Sequence, residues 1–145
     1  MITYYLAGRY SRKIEFAEIA KKIEDTLGYC CSSSWLTELE KPDSTLDQVA
    51  SDRLTFYALR DLHDILQADF TLFFAEDPLI GTPRGGRHVE FGYALAQKKP
   101  IVIIGPKENI FHYLPADFDI THYNTVEAFI AAETAEEDNA NAAST

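Results

Sequence analysis

Two short, almost wholly apolar runs constrain the fold of this chain more than any other feature. They are Phe70–Phe74 and Pro100–Ile104, and each has the length and composition of a strand buried on both faces of a parallel sheet. Between them, a glycine-rich basic loop at 81–87 leads directly into an apolar, alanine-containing helical segment at 88–96. A strand, loop, helix and second strand in this order predict a right-handed βαβ unit.

The same alternation extends over the rest of the chain. The further predicted strands are 2–8, 29–35 and 120–123. The further predicted helices are 12–27, 45–66 and one capped by Asn124 or Thr125 that ends near Thr134, with a short turn at 109–114. The first of these helices is expected to have Ser11 as N-cap, Gly28 as its end, and a buried stripe of Ile14, Ala17, Ile19, Ala20 and Ile23. We therefore expect an α/β fold, an open parallel five-stranded sheet with helices on both faces.

Length and charge limit the organisation and the partners. The 145 residues predict a single domain, 1–135, followed by an acidic tail from Glu136 onward that we expect to be disordered. A net charge of −10 argues against a nucleic-acid polymer or an anionic membrane as partner. It leaves a small anionic ligand open, because local arginines can outweigh the global charge.

The cysteines and the hydropathy pattern indicate the compartment. Cys30 and Cys31 are adjacent, which is neither a metal-ligand spacing nor a disulfide framework, so we expect reduced thiols within a strand. No apolar run approaches the length of a membrane span, and no signal peptide is recognised. The expected location is cytoplasmic.

The expected topology locates the functional site before any chemistry is considered. In open parallel sheets, ligands bind outside the carboxyl ends of the strands. That edge gathers Gly8–Tyr10, Trp35, the loop 75–90 and the segment 105–111. Glu90 lies among them.

Glu90 is the leading candidate for chemistry. We expect it in the first turn of a helix, where the positive end of the helix dipole favours the ionised carboxylate. The structural alternative is that Glu90 only complements that dipole. Its apolar neighbours, Val89, Phe91, Tyr93 and Leu95, favour a functional role, because they give a carboxylate little structural reason to be there.

A second carboxylate is needed if Glu90 acts on a glycosidic-type bond. Asp61 and Asp64 are the candidates, three residues apart near the end of the helix that precedes the Phe70–Phe74 strand. Asp61 is in phase with the apolar stripe, so it is either paired or functional, with a helix-end hydrogen bond as the alternative. Asp69 is expected to order the turn before the strand.

The glycine-rich loop could bind a phosphate through backbone N–H groups, helped by Arg84 and Arg87. It matches neither a P-loop nor a dinucleotide fingerprint, and a solvated loop is an equally good reading. The four histidines, 63, 88, 112 and 122, lack ligand spacing, and no serine or cysteine nucleophile has an evident base. We therefore predict no metal and no cofactor.

Three segments resemble the nucleoside 2-deoxyribosyltransferase family. They are Tyr-Leu-Ala-Gly-x-Tyr-Ser at 5–11, the spacing of Asp61 to Asp69, and above all Val-Glu-Phe-Gly-Tyr-Ala-Leu at 89–95. The resemblance extends from residue 2 to about 115 and implies a flavodoxin-like parallel sheet. It also implies that 2′-deoxyribonucleosides exchange free nucleobases by a retaining double displacement, as in nucleotide salvage.

The resemblance also implies roles for individual residues. Glu90 would attack C1′ and hold a covalent deoxyribosyl intermediate, Asp61 would assist proton transfer to the base, and Tyr5 would steady the nucleophile. The substrate-binding residues would be Gly8, Tyr10, Gly86, Asn109 and Phe111. Tyr10 would stack on the base, and a neighbouring subunit would lend Asn109 and Phe111, which would make the protein a homo-oligomer.

The chain departs from the family at one point. The best-known transferases have an aspartate shortly before the nucleophile that binds the sugar 5′-hydroxyl, whereas this chain has Arg84-Gly-Gly-Arg87. With Arg9 and Arg12, these arginines would suit a 5′-phosphate better. The alternatives to the transferase are therefore a (deoxy)nucleoside 5′-monophosphate N-hydrolase and a nucleotide-binding module without catalysis.

Overall fold

The computed structural model describes residues 1–37, 51–79 and 85–144 of the chain. The start of the predicted 45–66 helix and the loop residues 80–84, Arg84 among them, lie outside the described residues.

In the described part of the chain, five parallel strands form one sheet, which confirms the predicted α/β fold. The strands are β1 (Thr3–Ala7), β2 (Cys30–Cys31), β3 (Phe70–Phe74), β4 (Ile101–Ile104) and β5 (Ile120–Tyr123). Their order is β2-β1-β3-β4-β5, the flavodoxin-like order. The direction of strand addition reverses between β1 and β3, so the carboxyl ends of these two strands form the crevice where ligands bind in such sheets.

Among residues 1–37, 51–79 and 85–144, four helices cover the two faces of the sheet. They are α1 (Lys13–Leu27), α2 (Ser51–Gln67), α3 (Gly86–Ala96) and α4 (Val126–Ala143). Helices α1 and α4 pack together on one face, and α2 and α3 pack together on the other. Short 3-10 helices follow β1, β2 and β4 and precede β5, at Tyr10–Arg12, Ser34–Thr37, Ile110–Tyr113 and Ala116–Phe118. No helix in the described parts of the chain is long and apolar enough to cross a membrane.

Alternate residues of the central strands face the two helix layers. Phe74 packs on Phe16 of α1, with ring centroids 4.8 Å apart, whereas its neighbour Phe73 packs on Phe91 of α3 at 5.2 Å. Tyr5 belongs to the α2/α3 side, because its hydroxyl contacts a side chain of α3. The side chains of both helix layers thus bury the continuous apolar strands on both faces, as their composition predicted.

Helix α1 buries only part of the predicted stripe. Ile23 is buried and Ile19 and Ala20 are half-buried as predicted, whereas Ile14 is 72% exposed and Ala17 faces solvent; Phe16 and Leu27 are buried in addition. The reason is the aromatic cluster around Phe16, which turns the helix to insert that ring beneath the end of β1. The predicted Ser11 cap is also wrong, because a 3-10 turn precedes the helix, while Gly28 ends it at φ 73° as predicted.

Two further boundaries differ from the predictions. The second strand is only Cys30–Cys31, because Trp35 lies in a 3-10 helix and its indole N–H donates to the Leu6 carbonyl at 2.9 Å. The last helix is capped by Thr125 as predicted, but it continues to Ala143 instead of ending near Thr134. The expected disordered tail is thus largely helical, since alanines and glutamates dominate it and both favour helix.

Candidate active site

A buried tyrosine and a glutamate meet beneath the β1/β3 crevice. Tyr5 of β1 has no exposed surface, and its hydroxyl donates a hydrogen bond to Oε2 of Glu90 on α3. Burial, Glu90 and then Asp61 raise the pKa of Tyr5 well above its ordinary value. Tyr5 therefore remains a protonated donor at every physiological pH.

Glu90 holds its proton more tightly than an ordinary glutamate. Burial raises its pKa to about 8, and the negative charge of Asp61 adds to this, while the Tyr5 hydrogen bond opposes it. The helix dipole was expected to stabilise the ionised form of Glu90, but it does not determine the direction in which the pKa shifts. Helix α3 begins at Gly86, so Glu90 lies just past its first turn, where the dipole effect has faded.

Asp61 approaches this pair from the neighbouring helix. Its side chain is 26% exposed, and its Oδ1 accepts a hydrogen bond from Nη2 of Arg60 at 3.0 Å. The Arg60 guanidinium also lies over the ring of Tyr57, 4.9 Å from its centroid. The fold thus brings together Tyr5, Asp61 and Glu90, three residues that are 56 and 29 positions apart along the chain.

The other two aspartates of this region have structural partners. Asp64 Oδ2 accepts the backbone N–H of Ser34 at 2.9 Å and joins α2 to the segment after β2. Asp69 Oδ2 accepts the backbone N–H of Thr3 at 2.8 Å and its hydroxyl at 3.3 Å. Asp69 thus joins the turn before β3 to the start of β1, and its role in ordering the turn itself stays a prediction.

Gly8 and Tyr10 lie where β1 ends, at the entrance of the crevice. A Cβ on Gly8 would meet the Phe16 ring at 2.4 Å, so glycine is needed for packing whatever else it does. The centroid of the Tyr10 ring lies 5.8 Å from that of Trp35, and the Lys13 ammonium lies 5.4 Å from the centroid of the Tyr10 ring. The half-buried Tyr10 ring belongs to an aromatic surface of the kind on which a nucleobase can stack.

The start of α3 is built from two glycines and a buried arginine. Gly85 is the N-cap at φ 85°, and Gly86, the first helical residue, is exposed. Arg87 is only 5% exposed, and its Nη2 donates to Glu108 Oε1 at 2.6 Å. The arginine predicted to bind phosphate therefore has a buried protein partner. Sequence reasoning missed Glu108, because nothing in the polar segment after β4 distinguishes this acid from its neighbours.

Asn109 and Phe111 lie on the segment after β4. Asn109 Oδ1 accepts the Phe111 backbone N–H at 2.9 Å and caps a 3-10 helix, while its Nδ2 lies 3.4 Å from Nδ1 of His88. The Phe111 ring is 54% exposed beside Ile110 at 77%. Among the described residues, neither Asn109 nor Phe111 forms a hydrogen bond with Tyr5 or Glu90.

Two other features of the described residues are separate from this site. No group of three or more histidine, cysteine, aspartate or glutamate side chains among them is arranged to hold a metal ion. A cavity of about 450 Å³ opens on the α1/α4 side, between α1 and the start of α4, and Tyr5, Asp61 and Glu90 do not line it.

Comparison with known proteins gives likeness in fold only. No protein-family model matches the chain, and no curated protein sequence does. A 2-deoxyribosyltransferase from Bacillus psychrosaccharolyticus superposes with a TM-score of 0.65 at 19% identity, covering 88% of this chain and 90% of that one. A CMP N-glycosidase from Clostridium botulinum gives 0.57 at 17%, covering 90% and 96%. A conserved protein from Enterococcus faecalis gives 0.64 at 18%, covering 94% and 99%.

Proposed function

We propose that this protein is a nucleoside 2-deoxyribosyltransferase that exchanges the base of 2′-deoxyribonucleosides through a covalent intermediate on Glu90. The observation that supports this most is the hydrogen bond from Tyr5 to Glu90 beneath the β1/β3 crevice, together with the charge of Asp61 that acts on both residues. Enzymes that cleave a glycosidic bond with retention usually use a pair of carboxylates beside the bound substrate. The likeness in fold to a 2-deoxyribosyltransferase supports the same reaction.

Glu90 must lose its proton before it can act as nucleophile. With a pKa of about 8, roughly a tenth of Glu90 is ionised at pH 7 in the unliganded protein. We assign the removal of this proton to Asp61, whose charge acts on Glu90 from the adjacent helix. The Tyr5 hydroxyl holds Oε2 of Glu90, which leaves Oε1 to attack.

The exchange then runs in two steps. Oε1 of Glu90 forms a bond to C1′ while the bond from C1′ to the base nitrogen breaks, and Asp61 gives its proton to the leaving base. In the second step the nitrogen of an acceptor base attacks C1′, the ester to Glu90 breaks, and Asp61 takes the proton of the incoming base. The two inversions retain the configuration at C1′.

A chromatographic assay with deoxyinosine and free adenine tests the proposal. Wild-type protein should produce deoxyadenosine and hypoxanthine, and Glu90→Ala should produce neither while its circular dichroism stays native. Glu24→Gln, which alters an exposed glutamate of α1, is the matched control and should behave as wild type. Exchange by Glu90→Ala would refute the proposed nucleophile. If wild-type protein turns over neither deoxyinosine nor deoxyinosine 5′-monophosphate, the result would favour a binding module.

A 5′-monophosphate N-hydrolase is the second candidate, with water in place of the acceptor base. Arg9 favours it, because this half-exposed arginine directly follows Gly8 at the carboxyl end of β1. The likeness in fold to a CMP N-glycosidase also supports it. Arg9 is a better candidate for a phosphate than Arg87, whose guanidinium is buried against Glu108.

For a phosphate-binding Arg9, Arg9→Gln should raise KM for deoxyinosine 5′-monophosphate by about 10- to 100-fold, the usual value of a charge-assisted hydrogen bond. KM for deoxyinosine should change less than about twofold in the same variant. Steady-state kinetics on both substrates measure the difference. Equal changes in the two KM values would remove Arg9 from this role.

We also infer that the protein is a homo-oligomer in which Asn109 and Phe111 complete a neighbouring subunit's site. The exposed apolar side chains Ile110, Phe111 and Tyr113 of this segment support such a contact. Sedimentation should give a dimer or larger assembly, and Phe111→Ser should weaken both assembly and turnover. A fully active monomer would contradict the inference.

A further inference from the structure

Glu108 is a buried carboxylate that the proposed chemistry does not use. It follows β4 by four residues, and its side chain is only 6% exposed. One of its oxygens, Oε1, lies 2.6 Å from Nη2 of Arg87 and 2.9 Å from Nε2 of His88. The other oxygen, Oε2, accepts the backbone N–H of Glu76. A buried charge with this many partners ties together the elements that supply them.

These partners come from two separate segments of the carboxyl edge. Glu76 follows β3, while Arg87 and His88 lie in the first turn of α3. The link continues to the start of α1, because Nη1 of Arg12 lies 2.8 Å from Oε1 of Glu76. One carboxylate from the segment after β4 therefore connects the end of β3 with the beginning of α3.

Within the described residues, the beginning of α3 also has contacts through His88, whose Nδ1 lies 3.4 Å from Nδ2 of Asn109 and whose ring centroid lies 5.9 Å from that of Phe73. The N-cap of α3 is Gly85, which has no side chain to accept a backbone N–H, and no cap hydrogen bond is formed. Glu90 comes three residues after Arg87, one turn along the same helix. A shift of the first turn would therefore move Glu90 relative to Tyr5, which is fixed in the centre of the sheet.

We propose that Glu108 is a positioning residue for Glu90. Its contacts with Arg87 and His88 fix the first turn of α3, and the position of Glu90 depends on that turn. The kinetic part of this inference rests on the proposed function, whereas the structural part does not. Arg87 then acts as an internal anchor and not as a ligand for phosphate.

Glu108→Gln tests the proposal, because it keeps the shape of the side chain and removes the negative charge that pairs with the Arg87 guanidinium. Hydrogen exchange measured by mass spectrometry should become about tenfold faster or more in the segment 85–96, with α1 and α4 unchanged, since local opening is independent of the rest of the fold. If the protein is active, kcat should fall about 10- to 100-fold, because small misplacements of a catalytic group have effects of that size. KM should change by less than about threefold, since a misplaced nucleophile affects the transition state more than substrate binding.

Two variants accompany Glu108→Gln. Glu108→Asp keeps the charge and should show the same pattern to a smaller degree; it replaces the glutamine variant if that one fails to fold. Glu127→Gln breaks an ion pair with Lys22 on the exposed side of the fold and should match wild type.

The outcomes distinguish the positioning role of Glu108 from the proposed function of the protein. Local exchange at 85–96 together with a selective loss of kcat supports the positioning role. Unchanged exchange, exchange that rises equally in all helices, or an unchanged kcat in an active protein overturns it. If wild-type protein turns over no substrate, the proposed function fails, and the exchange pattern alone decides whether Glu108 holds α3.

Discussion

Replacing Glu90 with glutamine should abolish turnover and, at the same time, make the folded protein more stable above pH 8. Burial raises the pKa of Glu90 from 4.5 to about 8, so between these values the folded state binds a proton that the unfolded state has released. The stability of the wild-type protein therefore falls as pH rises through this window, by up to about 1.4 kcal/mol per pH unit from this one group. Glutamine does not titrate and avoids this cost.

Urea unfolding at pH 5, 6.5 and 8.5 measures this effect. The difference in unfolding free energy between Glu90→Gln and wild type should grow with pH and reach a few kcal/mol at the highest pH. Glu24→Gln, at an exposed position of α1, should follow wild type at every pH. A difference that does not vary with pH would mean that Glu90 titrates as an ordinary glutamate in the folded protein.

Tyr5→Phe and Asp61→Asn should shift the pKa of Glu90 in opposite directions. The Tyr5 hydrogen bond lowers this pKa, so its removal should raise it above about 8. The charge of Asp61 raises the pKa, so Asp61→Asn should lower it. Carboxyl-carbon NMR of the unliganded protein, with Glu90 assigned by its loss in Glu90→Gln, gives the values directly.

The same two variants should both lose activity if Glu90 is the nucleophile. Asp61→Asn removes the group assigned to proton transfer, which should lower kcat by about 10²- to 10⁴-fold. Tyr5→Phe removes the group that orients Glu90 and should lower kcat by about tenfold or more. Shifts in the same direction in the two variants, or normal activity in Asp61→Asn, would contradict the arrangement that we derive.

The predictable part of the fold follows from strong local signals. The apolar runs Phe70–Phe74 and Ile101–Ile104 form β3 and β4, and Gly28 and Thr125 end and begin helices as their chemistry predicts. The buried face of α1 was predicted only in part, because the helix has apolar residues on more than one face. Contacts of Phe16 with Trp35 and Phe74 decide between them, and these residues are distant in sequence.

The candidate site was predictable to a similar extent. The rule for the carboxyl edge of a parallel sheet pointed to Glu90, the phase of the apolar stripe pointed to Asp61, and the resemblance to the transferase family pointed to Tyr5. The direction of the Glu90 pKa was not predictable, because it depends on burial against residues of other elements and on the exact start of α3. The role of Glu108 could not be predicted either, since the partners of its side chain lie 20 or more residues away along the sequence and become neighbours only in the folded chain.

Detection of the covalent intermediate tests the central claim most directly. Wild-type protein mixed with deoxyinosine, without acceptor base, is quenched in acid and analysed by mass spectrometry of the intact chain and its peptides. We predict a mass increase of one deoxyribosyl group, confined to the peptide that contains Glu90 and removed by later addition of adenine. Base exchange by a protein that forms no such adduct, or an adduct on another residue, would contradict the account.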